Sequence, residues 1–141
     1  GLALCDLHVG LPHSARDRLR ITLKWCMKQY RCHAPNPVEW AWMLVVQLCL
    51  GRERAARDMA RRFGPGSPEP LRHTEFARAC ALLRVLDGET VAEEPGADHA
   101  IACIHPPVHQ SFADHLSACA AMLEACGRTD PAARLRRARE R

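Results

Sequence analysis

Six residues gather the metal-ligating chemistry of this 141-residue chain: His99, Cys103, His105, His109, His115 and Cys119. His99 and Cys103 stand four apart, as do His115 and Cys119. On a helix each pair shares a face and offers an imidazole and a thiol to one ion. Zinc accepts mixed nitrogen and sulfur sets in tetrahedral geometry, and copper favours the same soft donors. Met122 and Cys126 extend the second pair into a line at helical spacing. The simplest site of this kind is a zinc clip tying residues 99–109 to the helix that carries His115. The competing explanation is plain packing. Cys119, Met122 and Cys126 fall where a buried stripe needs apolar groups, and loop histidines are at home in solvent.

The eight cysteines (Cys5, Cys26, Cys32, Cys49, Cys80, Cys103, Cys119 and Cys126) form no C-x-x-C pair. Most lie on apolar faces of helical stretches, where thiols act as small hydrophobes in a reducing, cytoplasmic compartment. A cysteine–histidine nucleophile can be drawn among so many of each, but that freedom deprives the pairing of meaning. The chain has no glycine-rich phosphate loop, no zinc-protease helix and no nucleophile elbow. The expectation is therefore a non-catalytic protein without a cofactor, with zinc as the alternative.

Charge is mild. Eighteen arginines and two lysines against 16 acidic residues give a net charge of +4. Two arginine faces, 52–62 and 128–141, could track phosphates, with Arg134, Arg136 and Arg137 the test residues. No aromatics interleave with them, so a solvated outer face is the better reading and nucleic acid a secondary one. The acidic residues Asp87, Glu89, Glu93, Glu94 and Asp98, most of them in the loop 89–98, could answer the basic faces, among them Arg57, Arg61 and Arg62. Such pairing could act within a chain, between copies in a homo-oligomer, or toward a partner.

Hydrophobic residues at 48% in a chain of this length imply one domain over 1–141 with a real core. The longest apolar run, Trp40 to Leu50, is interrupted by Gln47 and falls short of the roughly 20 residues a membrane span needs. No stretch has the pattern of a secretory signal. Residues 1–13 read as an irregular lead-in. A first helix starts near Ser14, with Leu19, Leu23, Cys26 and Tyr30 as its stripe, and stops before Pro35 and Pro37. Asn36-Pro37-Val38-Glu39 opens a second helix with a capping sequence, and its residues to Leu50 are apolar nearly all round, so it belongs at the core. A third, amphipathic helix covers about Arg52 to Phe63 and ends at a Pro/Gly joint, 64–70. A fourth runs from about Leu71 or Thr74 to Leu86, with a short helix at 99–105. A fifth spans about His109 to Cys126 with Ser111 as cap, and a sixth begins at Asp130-Pro131.

One phrase recurs in this layout: an apolar helix, a glycine, then a stretch rich in alanine and charge. The glycines are Gly51, Gly88 and Gly127. A period near 38 residues is that of stacked αα-hairpins, each leaning on the next. The expected fold is all-α, with about six helices as three stacked αα-hairpins. The segment 38–68 resembles a tetratricopeptide-type repeat, with Trp40, the Gly51 turn, Ala56 and Pro68 at that family's positions. It departs at Leu44, Gln47 and Phe63, where a small residue, an aromatic and an alanine are usual. The resemblance implies a helical scaffold that holds a protein or peptide. Adaptor, secretion chaperone, immunity protein and viral host-binding protein all suit such a scaffold. The groove between the third and fourth helices, together with the 89–98 loop, is where the partner is expected.

Overall fold

An apolar helix with no polar side has to be surrounded, and α3 (Pro37–Cys49) is. In the computed structural model its residues Ala41 to Val46, Leu48 and Cys49 are buried, and five other helices pack around it. The structure describes residues 2–30, 37–68, 70–91, 94–97, 108, 109 and 111–140, with the backbone alone for 26–30. Among these residues there are seven helices and no strand. The others are α1 (Leu2–His8), α2 (Pro12–Tyr30), α4 (Glu53–Phe63), α5 (Thr74–Leu86), α6 (Phe112–Ala125) and α7 (Thr129–Arg139). No helix among the described residues is long and apolar enough to cross a membrane.

The all-helical class agrees with the sequence, whereas the expected count of about six does not include α1. Residues 2–8 were expected to be irregular because seven residues are too few to show a helical period. Tertiary contacts stabilise this helix instead. Leu7 is fully buried, and Asp6 accepts a hydrogen bond from Arg18 Nε at 2.6 Å. On α2, Ala15, Leu19 and Leu23 form the buried stripe, while Ile21 and Trp25 are exposed. The expected cap at Asn36 and the helix expected at 99–105 lie outside the described residues.

The repeated glycines all sit at helix ends with positive φ: 76° at Gly51, 87° at Gly88 and 80° at Gly127. Gly51 joins α3 to α4, and Trp40 meets Phe63 across that pair with ring centroids 5.3 Å apart. Gly127 joins α6 to α7, which pack along each other. Across the turn between α3 and α4, Arg128 donates to the carbonyls of Cys49 and Leu50, at 3.4 and 2.9 Å, and so satisfies the open end of α3. Ser111 caps α6 as the sequence foretold, its Oγ accepting from Asp114 N at 3.1 Å.

Gly10 and Gly88 separate two reasons for a glycine. Both have positive φ, near 80°. A Cβ at Gly88 would meet nothing within 4 Å, whereas one at Gly10 would lie 2.5 Å from the Ala125 carbonyl oxygen. Gly88→Ala should therefore cost only the left-handed backbone strain, about 1–2 kcal/mol. Gly10→Ala adds a backbone clash between the α1–α2 turn and α6, and should cost clearly more. Urea unfolding of the two variants checks this; equal losses would contradict the close approach at Gly10.

Candidate functional site

The helix α4 leans chiefly on α3, and only Ala56 of its inner face is fully buried. It does not pack closely on α5. A groove of about 1180 Å³ opens between the two helices and runs on to residues 87–97. Its floor is made of short side chains: Ala60 from α4, and Ala77, Cys80 and Ala81 from α5. Gly64 keeps the end of α4 close to this floor, since a Cβ there would come within 3.2 Å of Cys80 Sγ. Burial alone pushes the Cys80 thiol up to about 12, so it stays protonated near neutral pH.

Ion pairs line the rim. Arg57 holds Asp87 through two hydrogen bonds, of 2.6 and 2.9 Å, and Glu53 through a third at 2.7 Å. The same contact with Arg57 holds the Asp87 carboxyl below its ordinary pKa. Arg61 pairs with Asp58, Arg62 lies over the Phe63 ring at 5.1 Å, and Arg84 bonds Glu89 at 2.8 Å. Of the partner-binding residues expected from sequence, Arg57 and Arg61 line the groove as Glu94 does. Glu93 lies outside the described residues. The expected pairing of the basic face with the acidic stretch is formed at one point within the chain, Arg57 with Asp87, while Glu89 and Glu94 bond Arg84 and Arg78 of α5 instead.

Glu94 has a further task. The guanidinium of Arg78, 2% exposed, donates to its carboxylate from Nε and Nη2, at 3.0 and 2.5 Å, and from Nη1 to the His109 carbonyl at 2.6 Å. The other Glu94 oxygen accepts from Phe112 N at 3.1 Å, at the start of α6. Beside this tie, Glu75 accepts from Val108 N at 2.8 Å, and Thr74 Oγ1 donates to the Gly96 carbonyl at 3.1 Å. A strap of chain is thus fastened to the first two turns of α5 by polar side chains that a burial pattern alone would place outside.

Of the six expected metal ligands, His99, Cys103 and His105 lie outside the described residues. His109 and His115 meet with ring centroids 5.6 Å apart, both against Trp42, and Cys119 Sγ lies 3.6 Å from His115 Nε2. Among the described residues, no group of three or more His, Cys, Asp or Glu side chains is placed to hold a metal ion. Burial also sets the charge state of this pair. Burial, then the neighbouring His109 and Arg78, lowers His115 to about 3, and burial raises the Cys119 thiol far above its usual value. The two therefore remain neutral, where catalysis would want thiolate and imidazolium. Glu75 is also buried, and burial holds its carboxyl above the usual range.

The C-terminal arginines are partly committed. Arg134 donates to the Leu86 carbonyl at 2.8 Å and pairs with Asp130, and Arg136 pairs with Glu124. Arg137 is exposed. Comparison with known protein families, with curated proteins and with solved structures finds no match.

Two outcomes follow. Arg78→Ala should destabilise the chain by about 1–3 kcal/mol, because it leaves the His109 carbonyl and the Glu94 carboxylate without the guanidinium that meets them. Arg57→Ala, at the exposed rim, should cost under about 1 kcal/mol. Denaturant midpoints measure both, and equal losses would remove Arg78 from its central place. The histidine predicts pH dependence. The folded pKa of His115 lies below the ordinary 6.5, so on acidification the unfolded chain takes up the proton first. Its neutral form therefore costs stability from about pH 6.5 down to 3. Glu75, shifted upward, acts in the opposite sense, so the wild type alone cannot isolate the histidine. The stability gap between wild type and His115→Gln should move in the variant's favour below pH 6.5, by up to about 1.4 kcal/mol per pH unit. A gap that is constant from pH 7 to 4 would contradict the burial of His115.

Proposed function

We propose that this chain is a non-catalytic protein-interaction module of the αα-hairpin type, which grips a protein or peptide in the groove between α4 and α5. The observation that carries the reading is the groove itself: a broad, open trough with an alanine floor and ion pairs along its rim. Short floor residues let a partner's backbone approach closely, as small residues do wherever helices pack tightly. Paired rim charges offer directional hydrogen bonds and little net field, which suits a partner of mixed charge rather than a polyanion. The neutral state of His115 and Cys119 supports a role other than catalysis, as their burial leaves no reactive thiolate. The kinship with tetratricopeptide-like scaffolds belongs to the same proposal and rests on Trp40, Gly51 and Ala56.

Immobilised wild type, Ala60→Trp and the double variant Arg136→Ala/Arg137→Ala test the reading in lysate from the source cells. The tryptophan fills the trough at a half-exposed floor position without entering the core. A protein recovered by wild type and by the arginine variant, yet reduced at least tenfold by Ala60→Trp, is the expected result. Equal recovery by Ala60→Trp, or recovery lost only with the arginines, would overturn it.

A further inference from the structure

The face of α2 opposite its buried stripe has Ile21 at its centre, 69% exposed. Helical spacing sets Arg18 and Trp25 along one side of Ile21, and Asp17 and Lys24 along the other. All four are exposed. Arg20 lies further round the helix, at the edge of this face. Asp17 and Arg16 are 3.9 Å apart, too far for a hydrogen bond. Arg18 donates to Asp6, and its side chain stays half exposed. Beside Arg18 a groove of about 470 Å³ opens between α1, α2 and α3. The exposed Leu2 and Val108 lie on its rim, and the buried Leu19 and Trp42 line its floor. Several large apolar side chains left in water around one groove mark a contact surface. None of the residues lining the trough between α4 and α5 comes from α2, so this is a second surface.

We propose that this face seats a second copy of the chain, the two α2 helices pairing antiparallel about a two-fold axis through Ile21. The pattern is its own complement. Arg18 stands three residues before Ile21 and Trp25 four after it; Asp17 stands four before and Lys24 three after. A two-fold axis across the helix reverses α2 and lays each side of the face against the same side of the other copy. Ile21 then meets its counterpart. Arg18 of one copy comes opposite Trp25 of the other, and Asp17 opposite Lys24, each within one residue of level. Both contacts occur twice, as an isologous interface requires. A guanidinium on an indole face is a cation–π contact, and the aspartate and lysine form an ion pair. Trp25 of the second copy arrives where the groove opens and covers its apolar rim. Antiparallel helices also bring opposite ends of their dipoles together. A foreign partner would need only one half of this arrangement; a second copy uses both halves at once. One helix pair is at the small end of specific interfaces, so micromolar association is expected.

Sedimentation velocity of the full chain, run from low to high micromolar concentration, tests this. A reducing agent keeps the exposed Cys5 from cross-linking copies. Wild type should show reversible exchange between monomer and dimer. Ile21→Asp should stay monomeric at every concentration, with its melting midpoint unchanged because the position is exposed. Asp17→Lys turns both ion pairs into repulsions and should weaken association about tenfold. Glu140→Lys alters the net charge equally at an exposed site away from α2, and should associate as wild type does. The double variant Asp17→Lys/Lys24→Asp exchanges the two charges and should regain wild-type association. In a parallel pair Asp17 would face Arg18 instead, and the exchange would leave that contact repulsive. A wild type that is monomeric throughout, a dimer that survives Ile21→Asp, an equal loss in Glu140→Lys, or a double variant as weak as Asp17→Lys would each overturn the proposal. The charge variants carry the test even where Ile21→Asp fails to fold.

Discussion

A guanidinium buried inside a small helical protein must be met by acceptors, and the arrangement of the second half of this chain follows from how Arg78 is met. Water is excluded from it, so each donor left open would cost on the order of 1–3 kcal/mol. Glu94 and the carbonyl of His109 answer it, so residues 94 and 109 are both held against α5 at that height. Glu94 then passes the constraint on, since its second oxygen receives Phe112 N and so fixes where α6 begins. One charge on α5 thereby sets the position of the strap and the start of the next long helix. The same strap forms one wall of the groove, so the candidate binding surface and the buried ion pair belong to one structural unit.

The groove exists because burial is unevenly shared. Around α3 the packing is complete: eight of its thirteen residues are buried, with partners on all sides. α4 has one fully buried residue and rests mainly on α3, which holds it through Trp40 and Phe63. With Ala60 on α4 and Ala77 and Ala81 on α5 lining the space, the gap stays open between them and is bridged at the rim by Arg57 and Asp87. Gly64 and the loop that follows bring the chain back onto α5 and shut one end of the space. Leu71 N donates to the Phe63 carbonyl at 2.8 Å, so the joint is tied off by the backbone itself.

What could be read from the sequence was local. The Ser111 cap needed only a hydroxyl and a helix start, and it is formed as expected. The all-round apolar pattern placed α3 at the core, and the three glycines marked helix ends that do have positive φ. Hidden from such reading were contacts that join residues far apart. Arg78 looks like any helical arginine until Glu94, sixteen residues later, is brought to it. Glu75 sits in the first turn of α5, where an acidic residue is expected for dipole reasons, yet its carboxylate is spent on Val108. Arg128 reads as part of a basic tail but serves the end of α3. Charges chosen as partner sites from composition, such as Arg61 and Glu89, turned out to have partners close by in the chain, three and five residues away. Periodicity reports which face is apolar; it carries no information about which polar group crosses to which.

The two acceptors of Arg78 are fifteen positions apart along the chain, and both are clamped to the same side chain. One guanidinium thus fixes both ends of that interval, which closes a ring in the chain. The entropy lost in closing such a ring grows only with the logarithm of its length, so doubling it would cost about 0.6 kcal/mol. A single buried guanidinium therefore offsets the ordering of both ends at once.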